Sequence, residues 1–497
     1  MTADVLMLLE GTYPYVRGGV SSWVDQIIRG CPNKTFALVF LGGQPEMYGE
    51  MAYSLPANVI SLDHHYLLAE GENFPEPKAG DGTAEHFELW QEIVHHFQDP
   101  SKTIAKESLC QFYQLLLDES LSLSDFLYSR QSWQVLQNTY LQHSTDPSFI
   151  DFFWTYRTIY QPLFKMSSII KRLPEAKMVH SVSTGYAGFL ASVISLLRQI
   201  PYLLTEHGIY TKERNIDLSQ ATWIEDPDTS SSSQLQYKMS YVRKMWMRFF
   251  QQLGRISYDN ADKIISLYEN NQLRQIRDGA EQQRTQVIPN GIDIDHFRKA
   301  REEHPKEPLP VAALIGRVVP IKDIKTFIRA IKQASARTPE LQGWIVGPVD
   351  ESPEYVDDCK LLVSSLGLEK QIKFTGMQNL LDILPQVGLV VLTSISEAQP
   401  LVLLEAMAAG VPVVASDVGS CAAIIHGGDA QDKALGSAGR LTPIANGHAT
   451  ATAIGDMLLD PALWQQCRQS GIERVEQFYT RPAMLAAYQS LYQEMSE

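Results

Sequence analysis

The sequence predicts an α/β protein with two Rossmann-like domains, and three observations support this prediction. The chain has 497 residues, which is too long for one ordinary hydrophobic core, and its 44% of hydrophobic residues is enough for two cores. It opens with an apolar strand, a glycine loop, an amphipathic helix and a second strand. A second alternation of strands and helices starts near Pro310, after the charged, proline-bearing segment 299–310.

The first domain is predicted to begin with a βαβ unit. Val5–Leu9 is the first strand, Val20–Arg29 the helix and Phe36–Leu41 the second strand, with Gly18 and Gly19 beyond the carboxyl end of the first. Ligands of parallel sheets gather at such ends, so the two glycines are candidate ligand contacts. The pattern resumes with further strands at Met178–His180, Pro201–Thr205 and Lys263–Ser266.

Between about 85 and 171 the strand signal disappears, and we predict a helical insertion in the N-terminal domain. Its aromatic residues indicate packing or a surface for a protein partner rather than chemistry; they include Trp90, Phe97, Tyr113, Trp133, Phe152, Phe153 and Trp154. A later run with four consecutive serines, Asp226–Ser233, is predicted to be a loop between helices.

The segment 299–310 is the predicted linker between an N-terminal domain over 1–298 and a C-terminal domain over 299–478. The strands predicted for the second domain are Val311–Ile315, Gly343–Val346, Ile372–Thr375, Leu389–Leu392 and Pro412–Ala415. A last helix, Arg481–Met495, lies in the segment 479–497 beyond that series.

Two glutamates, Glu397 and Glu405, bracket the most informative stretch of the chain. Pro400 suits the first turn of a helix, which Gly410 ends before a new strand. Glu405 is the one polar residue of the predicted helix Leu401–Ala409, and helical side chains lean towards the N-terminus. Both carboxylates are therefore expected to face one ligand. The N–H groups of Leu401, Val402 and Leu403 lack helical partners in this prediction and favour a phosphate there.

Gly316 and Arg317 end the first strand of the second domain, and Lys322 follows at the start of a helix. Arginine offers a planar fork and lysine a point charge, so the two cations are predicted to hold a diphosphate. The sequence beside them contains no acidic cage for a metal, and we expect no metal requirement.

Three other strand ends carry candidate residues. His207 follows the strand that ends at Thr205-Glu206, and Gly376 with Met377 follows a strand of the second domain, where glycine lets a ligand approach the backbone. In the N-terminal glycine loop Tyr13, Tyr15 and Arg17 are polar candidates for ligand contacts, while Glu206 is expected to be structural.

Composition excludes several classes of function. The net charge of −15 argues against binding to nucleic acid or anionic lipid. Five scattered cysteines suggest neither a disulfide framework nor a zinc site, which fits a reducing cytoplasm. The longest apolar run, about Tyr186–Leu197, is too short to span a membrane, and Asp4 and Glu10 interrupt any signal peptide, so we expect neither export nor membrane insertion.

The spacing of Glu397 and Glu405, together with the Gly-Arg-Val-Val-Pro-Ile-Lys segment at 316–322, resembles the retaining glycosyltransferases of family 4. This resemblance implies the GT-B fold, with two Rossmann-like domains facing each other and the last helix crossing back to the first. It also implies that Glu405 binds the ribose of a UDP-sugar, that Glu397 binds the transferred sugar, and that His207 lies against its reacting carbon. Gly18 and Gly19 would touch the donor phosphates, and Gly376 and Met377 the uracil. The glycine loop would also border the acceptor, which makes Tyr13, Tyr15 and Arg17 candidate acceptor contacts.

The resemblance implies transfer of a hexose or N-acetylhexosamine from a UDP-sugar to a growing glycan, in exopolysaccharide (Pel-type) biosynthesis. The protein would be cytoplasmic, held at the inner membrane by proteins of a polysaccharide synthase. A UDP-sugar epimerase of the same fold and a non-catalytic UDP-binding scaffold are the alternatives. One departure is that Ser420-Cys421-Ala422-Ala423 supplies no acid after Gly419, where many relatives carry one.

Overall fold

The computed structural model describes residues 2–68, 80–99, 101–143, 148–220 and 241–496. The chain forms two compact units. Unit 1 comprises residues 1–266, 272–286 and 489–497, and unit 2 comprises residues 267–271 and 287–488. The loop predicted at 226–233 lies outside the described residues.

Unit 1 is built on a seven-stranded sheet of order β3-β2-β1-β4-β5-β6-β7. Its strands are β1 (Ala3–Glu10), β2 (Phe36–Gly42), β3 (Val59–Tyr66), β4 (Ala176–Ser181), β5 (Tyr202–Glu206), β6 (Lys263–Ser266) and β7 (Thr285–Val287). Its helices are α1 (Gly19–Gly30), α2 (Ala84–Gln98), α3 (Lys106–Leu117), α4 (Leu123–Tyr128), α5 (Arg130–His143), α6 (Phe149–Ile170), α7 (Tyr186–Arg198), α8 (Tyr210–Gln220) and α9 (Tyr241–Asn260). A further helix, α10 (Glu269–Arg277), is shared between the units.

Unit 2 contains a six-stranded sheet of order β10-β9-β8-β11-β12-β13. Its strands are β8 (Val311–Ile315), β9 (Gln342–Val346), β10 (Ile372–Gly376), β11 (Leu389–Leu392), β12 (Val413–Ser416) and β13 (Gly439–Thr442). The helices are α11 (Ile294–Glu303), α12 (Ile324–Ala334), α13 (Pro353–Ser365), α14 (Leu380–Ile383), α15 (Leu401–Ala408), α16 (Cys421–His426), α17 (Ala430–Lys433), α18 (Gly447–Leu459) and α19 (Pro461–Phe478). The last helix, α20 (Arg481–Ser496), contributes its first half to unit 2 and its last residues to unit 1.

Both sheets have the strand order of doubly wound α/β domains, and the strand pairs with a described register are parallel. The order reverses between β1 and β4 in unit 1 and between β8 and β11 in unit 2, and ligands bind beyond the carboxyl ends of strands at such points. The predicted fold class, two Rossmann-like domains with a helical insertion, is confirmed. The insertion is α2–α6, and Trp90, Phe112 and Phe164 pack together inside it.

The units divide before the predicted boundary at 298. The segment 299–310 was expected to be a linker, but its first part continues α11 within unit 2. Asp293 caps this helix by accepting a hydrogen bond from the His296 N–H at 3.2 Å, and Phe297 and Ala300 are buried in the core of unit 2. Cap and core contacts outweigh the charged composition of the segment.

Candidate active site

The loop after β8 is shaped by two glycines. Gly316 has a φ of +155°, a region that favours glycine, and a Cβ on Gly347 would lie 2.0 Å from the Gly316 carbonyl oxygen. The Lys322 side chain passes over Gly316, because a Cβ there would lie 3.6 Å from the lysine Cε. Gly347 thus lets the two loop backbones approach each other, and Gly316 supplies the positive φ of the backbone beside Lys322.

Lys322 and Glu397, predicted for the same site, are in direct contact. The lysine Nζ lies 2.5 Å from a Glu397 carboxylate oxygen, which also accepts a hydrogen bond from Ser394 Oγ at 2.7 Å. The two charged side chains are only 18% and 15% exposed. The residue predicted to bind the diphosphate and the residue predicted to bind the sugar therefore form a shielded ion pair with each other.

The loops that carry this pair brace each other. Thr393 Oγ1 donates to the carbonyl oxygens of Lys322 and Asp323 at 3.0 and 2.9 Å. On the other side a Cβ on Gly419, which has a φ of +56°, would lie 2.2 Å from the Glu397 carbonyl oxygen. Gly419 thus has a structural role against the Glu397 loop. In the segment after Gly419, which supplies no acid, Cys421 is fully buried and begins α16.

Arg317 is placed differently from Lys322. Its guanidinium nitrogen contacts both carboxylate oxygens of Glu351, at 2.6 and 2.7 Å, and both side chains are about half exposed. No described contact joins Arg317 to Lys322 or Glu397, so Arg317 stays a predicted diphosphate ligand that must first leave Glu351.

Glu405 is a half-buried acid on α15 between fully buried neighbours, Leu404 and Ala406. Burial raises the pKa of its carboxyl to about 7. Within the described part of the chain, no side chain donates a hydrogen bond or forms an ion pair with this carboxyl, in contrast to Glu397. A carboxyl that is largely shielded from solvent and has no described partner is typical of a ligand site.

The start of α15 differs slightly from the prediction. Pro400 is the N-cap residue, and the helix ends at Ala408. The expectation that the Leu403 N–H lacks a partner is wrong, because it donates to the Pro400 carbonyl at 3.1 Å. The N–H groups of Leu401 and Val402 remain predicted phosphate contacts. Gly376 adopts a φ of +67° at the end of β10, and Met377 beside it is 72% exposed.

In unit 1 the side chain of His207 is almost completely buried beyond the end of β5. Its ring lies edge to face against the Trp23 indole, with centroids 4.7 Å apart. Burial lowers the pKa of the imidazole to about 4, so it is uncharged at neutral pH. This imidazole can exchange hydrogen bonds with a neutral sugar without adding charge.

The neighbouring Glu206 is part of a buried network, as the sequence suggested. Its carboxylate accepts hydrogen bonds from Tyr258 Oη at 2.6 Å, Gln275 Nε2 at 3.1 Å, Thr184 Oγ1 at 3.0 Å and the Tyr210 N–H at 3.0 Å. Burial nevertheless raises the pKa of the carboxyl. Glu206 therefore fixes the loop that carries His207.

A cavity of about 510 Å³ lies beyond the carboxyl ends of β1 and β5, and His207 lines it. Larger cavities occur among the described residues of the helical insertion, but this one lies where ligands of parallel sheets bind. No sequence motif indicated most of the residues that line this cavity, which include Glu10, Tyr186, Tyr210, Glu213, Arg214 and Trp246. Only Glu10, a charge that ends the apolar strand β1, was a visible signal.

The residues predicted as ligand contacts in the N-terminal glycine loop differ in their surroundings. Tyr13 is fully buried and its hydroxyl donates to Asp25 at 3.3 Å, which argues against the predicted acceptor contact. Tyr15 packs against Phe40, with ring centroids 4.7 Å apart. Gly18 and Gly19 have open space where a Cβ would be, and neither they nor Arg17 makes a described contact with His207.

Among the described residues no group of three or more His, Cys, Asp or Glu side chains is arranged to hold a metal ion. In the same part of the chain, none of the helices combines the length and apolar character that crossing a membrane requires.

Two protein-family models match this chain. Residues 296–474 match the family model Glycosyl transferases group 1. Residues 3–283, more than half of the chain, match Domain of unknown function (DUF3492). The chain belongs to this DUF3492 family, with a group 1 glycosyl transferase region in unit 2.

The matching relatives and structures cover the chain to different extents. The D-inositol 3-phosphate glycosyltransferase of Nocardia farcinica is 30% identical over 34% of this chain and 38% of the relative. That of Streptomyces avermitilis is 27% identical over 44% and 47%. The chain thus spans less than half the length of these two curated relatives.

Similar solved structures span nearly the whole chain. Anabaena HepE in complex with UDP has a TM-score of 0.59 at 15% identity and covers 99% of this chain and 100% of that chain. Sucrose-phosphate synthase from Thermosynechococcus elongatus has a TM-score of 0.58 at 18% identity, over 99% and 98%. These similarities support the GT-B fold class.

Proposed function

We propose that this protein is a retaining glycosyltransferase that moves a hexose or N-acetylhexosamine from a UDP-sugar to a growing glycan. One cluster supports the proposal above all: the Lys322–Glu397 pair in the group 1 region, with the half-buried carboxyl of Glu405, which has no described side-chain partner, on the helix that follows. Charged groups that converge on one shielded place suit a ligand with hydroxyls and phosphates.

In the proposed reaction the phosphates of UDP bind Lys322, Arg317 and the N–H groups of Leu401 and Val402. These donors stabilise the negative charge that develops on the leaving diphosphate. Glu405 accepts hydrogen bonds from the ribose, Glu397 from the transferred sugar, and the neutral His207 contacts the sugar near its reacting carbon. A phosphate oxygen takes the proton of the acceptor hydroxyl, and no resident metal takes part.

We also propose that the protein acts in the synthesis of a Pel-type exopolysaccharide. The opening residues up to Trp23, the helical insertion and Val418–Cys421 look most like PelF, the cytoplasmic glycosyltransferase of bacterial Pel exopolysaccharide systems. Trp133 and Trp154 of the insertion are 44% and 60% exposed, which suits docking to inner-membrane proteins of a synthase.

The function is tested by incubating the full chain with a panel of UDP-sugars and neutral oligosaccharide acceptors, with EDTA present. We expect UDP release coupled to acceptor extension that persists in EDTA, because Lys322 and Arg317 supply the charge that a metal would otherwise supply. Epimerised UDP-sugar without extension would favour the epimerase. UDP binding without any turnover would favour the scaffold, and activity that requires added Mg²⁺ or Mn²⁺ would contradict metal independence.

UDP affinity is also expected to depend on pH through Glu405. In the free protein the carboxyl has a pKa of about 7, so it is mostly protonated at pH 6 and mostly ionised at pH 8. Ribose hydroxyls donate to the ionised form, so affinity should rise about tenfold between these values and be lost as the pH falls through 7. Calorimetry on the wild type and Glu405→Gln checks this. The phosphates of UDP titrate equally in both proteins, and parallel pH profiles would contradict the role of Glu405.

A further inference from the structure

We propose that the cavity beside His207 binds the uncharged end of a glycan and excludes phosphorylated acceptors. This inference rests on the proposed function, since it names the acceptor of the same transferase. The inference adds to the proposed function because it places the acceptor against other residues. The sequence pointed to Tyr13, Tyr15 and Arg17, which are absent from the cavity lining.

The walls of the cavity suit a sugar ring. Aromatic side chains line it on several sides, among them Tyr48, Tyr186, Trp246 and Phe250. Trp246 and Phe250 are stacked with centroids 5.8 Å apart, and Tyr186 lies edge to face against Phe250 at 6.0 Å. Flat apolar faces cover the C–H faces of a sugar, while polar groups between them fix its hydroxyls.

Two hydroxyls of the lining have no hydrogen-bond partner in the described part of the chain. They are Tyr186 Oη, on a side chain that is 7% exposed, and Thr12 Oγ1 beyond the end of β1. A buried hydroxyl without a partner carries a desolvation cost. A ligand that exchanges hydrogen bonds with both would remove this cost.

The charges of the lining disfavour an anionic ligand. Glu10 accepts from Tyr210 Oη at 2.7 Å and from the Ala187 N–H at 3.1 Å, which fixes its carboxylate at the cavity. Glu213 passes directly over Gly208, where a Cβ would lie 2.1 Å from its carboxylate oxygen. The cation of the lining, Arg214, stacks over the Tyr210 ring at 5.1 Å and pairs with Asp217 at 3.4 Å.

Two carboxylates therefore face one guanidinium that already has partners. Sugar hydroxyls can donate to Glu10 and Glu213, whereas a phosphate would be repelled by these groups when they are ionised. For Glu213 this holds above its pKa, which burial raises to about 7. The relatives that match part of this chain are named D-inositol 3-phosphate glycosyltransferases. We expect the cavity of this chain to bind phosphorylated acceptors such as D-inositol 3-phosphate weakly.

The experiment is a ligand-observed NMR titration of the full chain, with and without saturating UDP, using chitotetraose, maltotetraose and D-inositol 3-phosphate as probes. We expect at least one oligosaccharide to bind at least tenfold more tightly than the inositol phosphate. Tyr186→Phe should weaken binding of that oligosaccharide about fivefold. It should not lower the thermal unfolding midpoint, because the lost hydroxyl has no described protein partner. Glu213→Lys should reduce the ratio of oligosaccharide affinity to D-inositol 3-phosphate affinity, because a cation replaces a carboxylate in the cavity.

Matched controls are Tyr128→Phe, in the helical insertion, and Glu88→Lys, on the exposed face of α2. Both lie outside the cavity and should bind the probes like the wild type. Inositol phosphate binding that equals oligosaccharide binding, wild-type binding by both cavity variants, or binding of neither oligosaccharide would overturn the proposal. If UDP itself does not bind, the proposed function fails, and the titration without UDP still decides the character of the cavity.

Discussion

Lys322→Ala is expected to weaken UDP binding and lower turnover by about 100-fold. The variant loses a charge-assisted contact to the diphosphate, worth about 1.5–3 kcal/mol. It also leaves Glu397, 15% exposed and now without its cation, where it would repel an incoming phosphate. Calorimetry with UDP and a turnover assay measure the two effects.

The chain supplies a close control for this experiment. Lys325 lies three residues later and pairs with Asp358 at 2.7 Å, away from the strand-end loop, so Lys325→Ala should bind UDP like the wild type. Adding Glu397→Gln to Lys322→Ala should restore part of the UDP affinity, because the unpaired charge is gone. Unchanged affinity in a folded Lys322→Ala variant would remove this residue from the donor site.

Arg474→Met is expected to destabilise unit 2 by about 3–5 kcal/mol, as expected for breaking a buried ion pair. The Arg474 side chain is fully buried on α19, with Nε 2.5 Å from a carboxylate oxygen of Asp432. Its other nitrogens donate to the carbonyl oxygens of Ile425, Asp432 and Gly436, at 2.7, 2.9 and 2.7 Å. The variant would leave the Asp432 carboxylate buried without its cation and the Gly436 carbonyl without its described donor. The Ile425 and Asp432 carbonyls would lose one donor each and keep a backbone N–H.

Hydrogen exchange over residues 421–442 reports this loss locally, apart from any change in unit 1. Arg468→Met on the same helix is the matched comparison. Arg468 Nε has no hydrogen-bond partner within the described residues, so the free energy of unfolding should fall by no more than about 1 kcal/mol. Equal protection in both variants would contradict the importance of the Arg474 network.

The strands that the sequence revealed are all those in the middle of each sheet and one edge strand, β10. Among them β2, β8 and β11 are continuous apolar runs, which is what a strand covered on both faces requires. The missed strands, β3, β7 and β13, lie at sheet edges and are short, partly exposed or both. Edge strands bury less surface, so their sequences show no comparable pattern.

The site divides in a similar way. Lys322 and Glu397 could be found because each lies a few residues after a strand, and Glu405 because it lies on the helix that directly follows the Glu397 loop. The cavity in unit 1 draws on β1, α7, α8 and α9, which are far apart in the sequence. Tyr186, Glu213 and Trp246 occur within helices whose patterns do not distinguish a cavity wall from a packed core.

The ion pairs of the proposed donor site imply that binding there is an ion exchange. Lys322 and Arg317 are each held by a glutamate of the same chain, so the ligand-free protein presents paired cations and no free positive patch. A diphosphate must displace carboxylates that stay tethered nearby, and the net change in local charge is small. Such a site attracts anions weakly at long range and loses little affinity as salt rises, so nucleotide selection would come from short contacts after arrival.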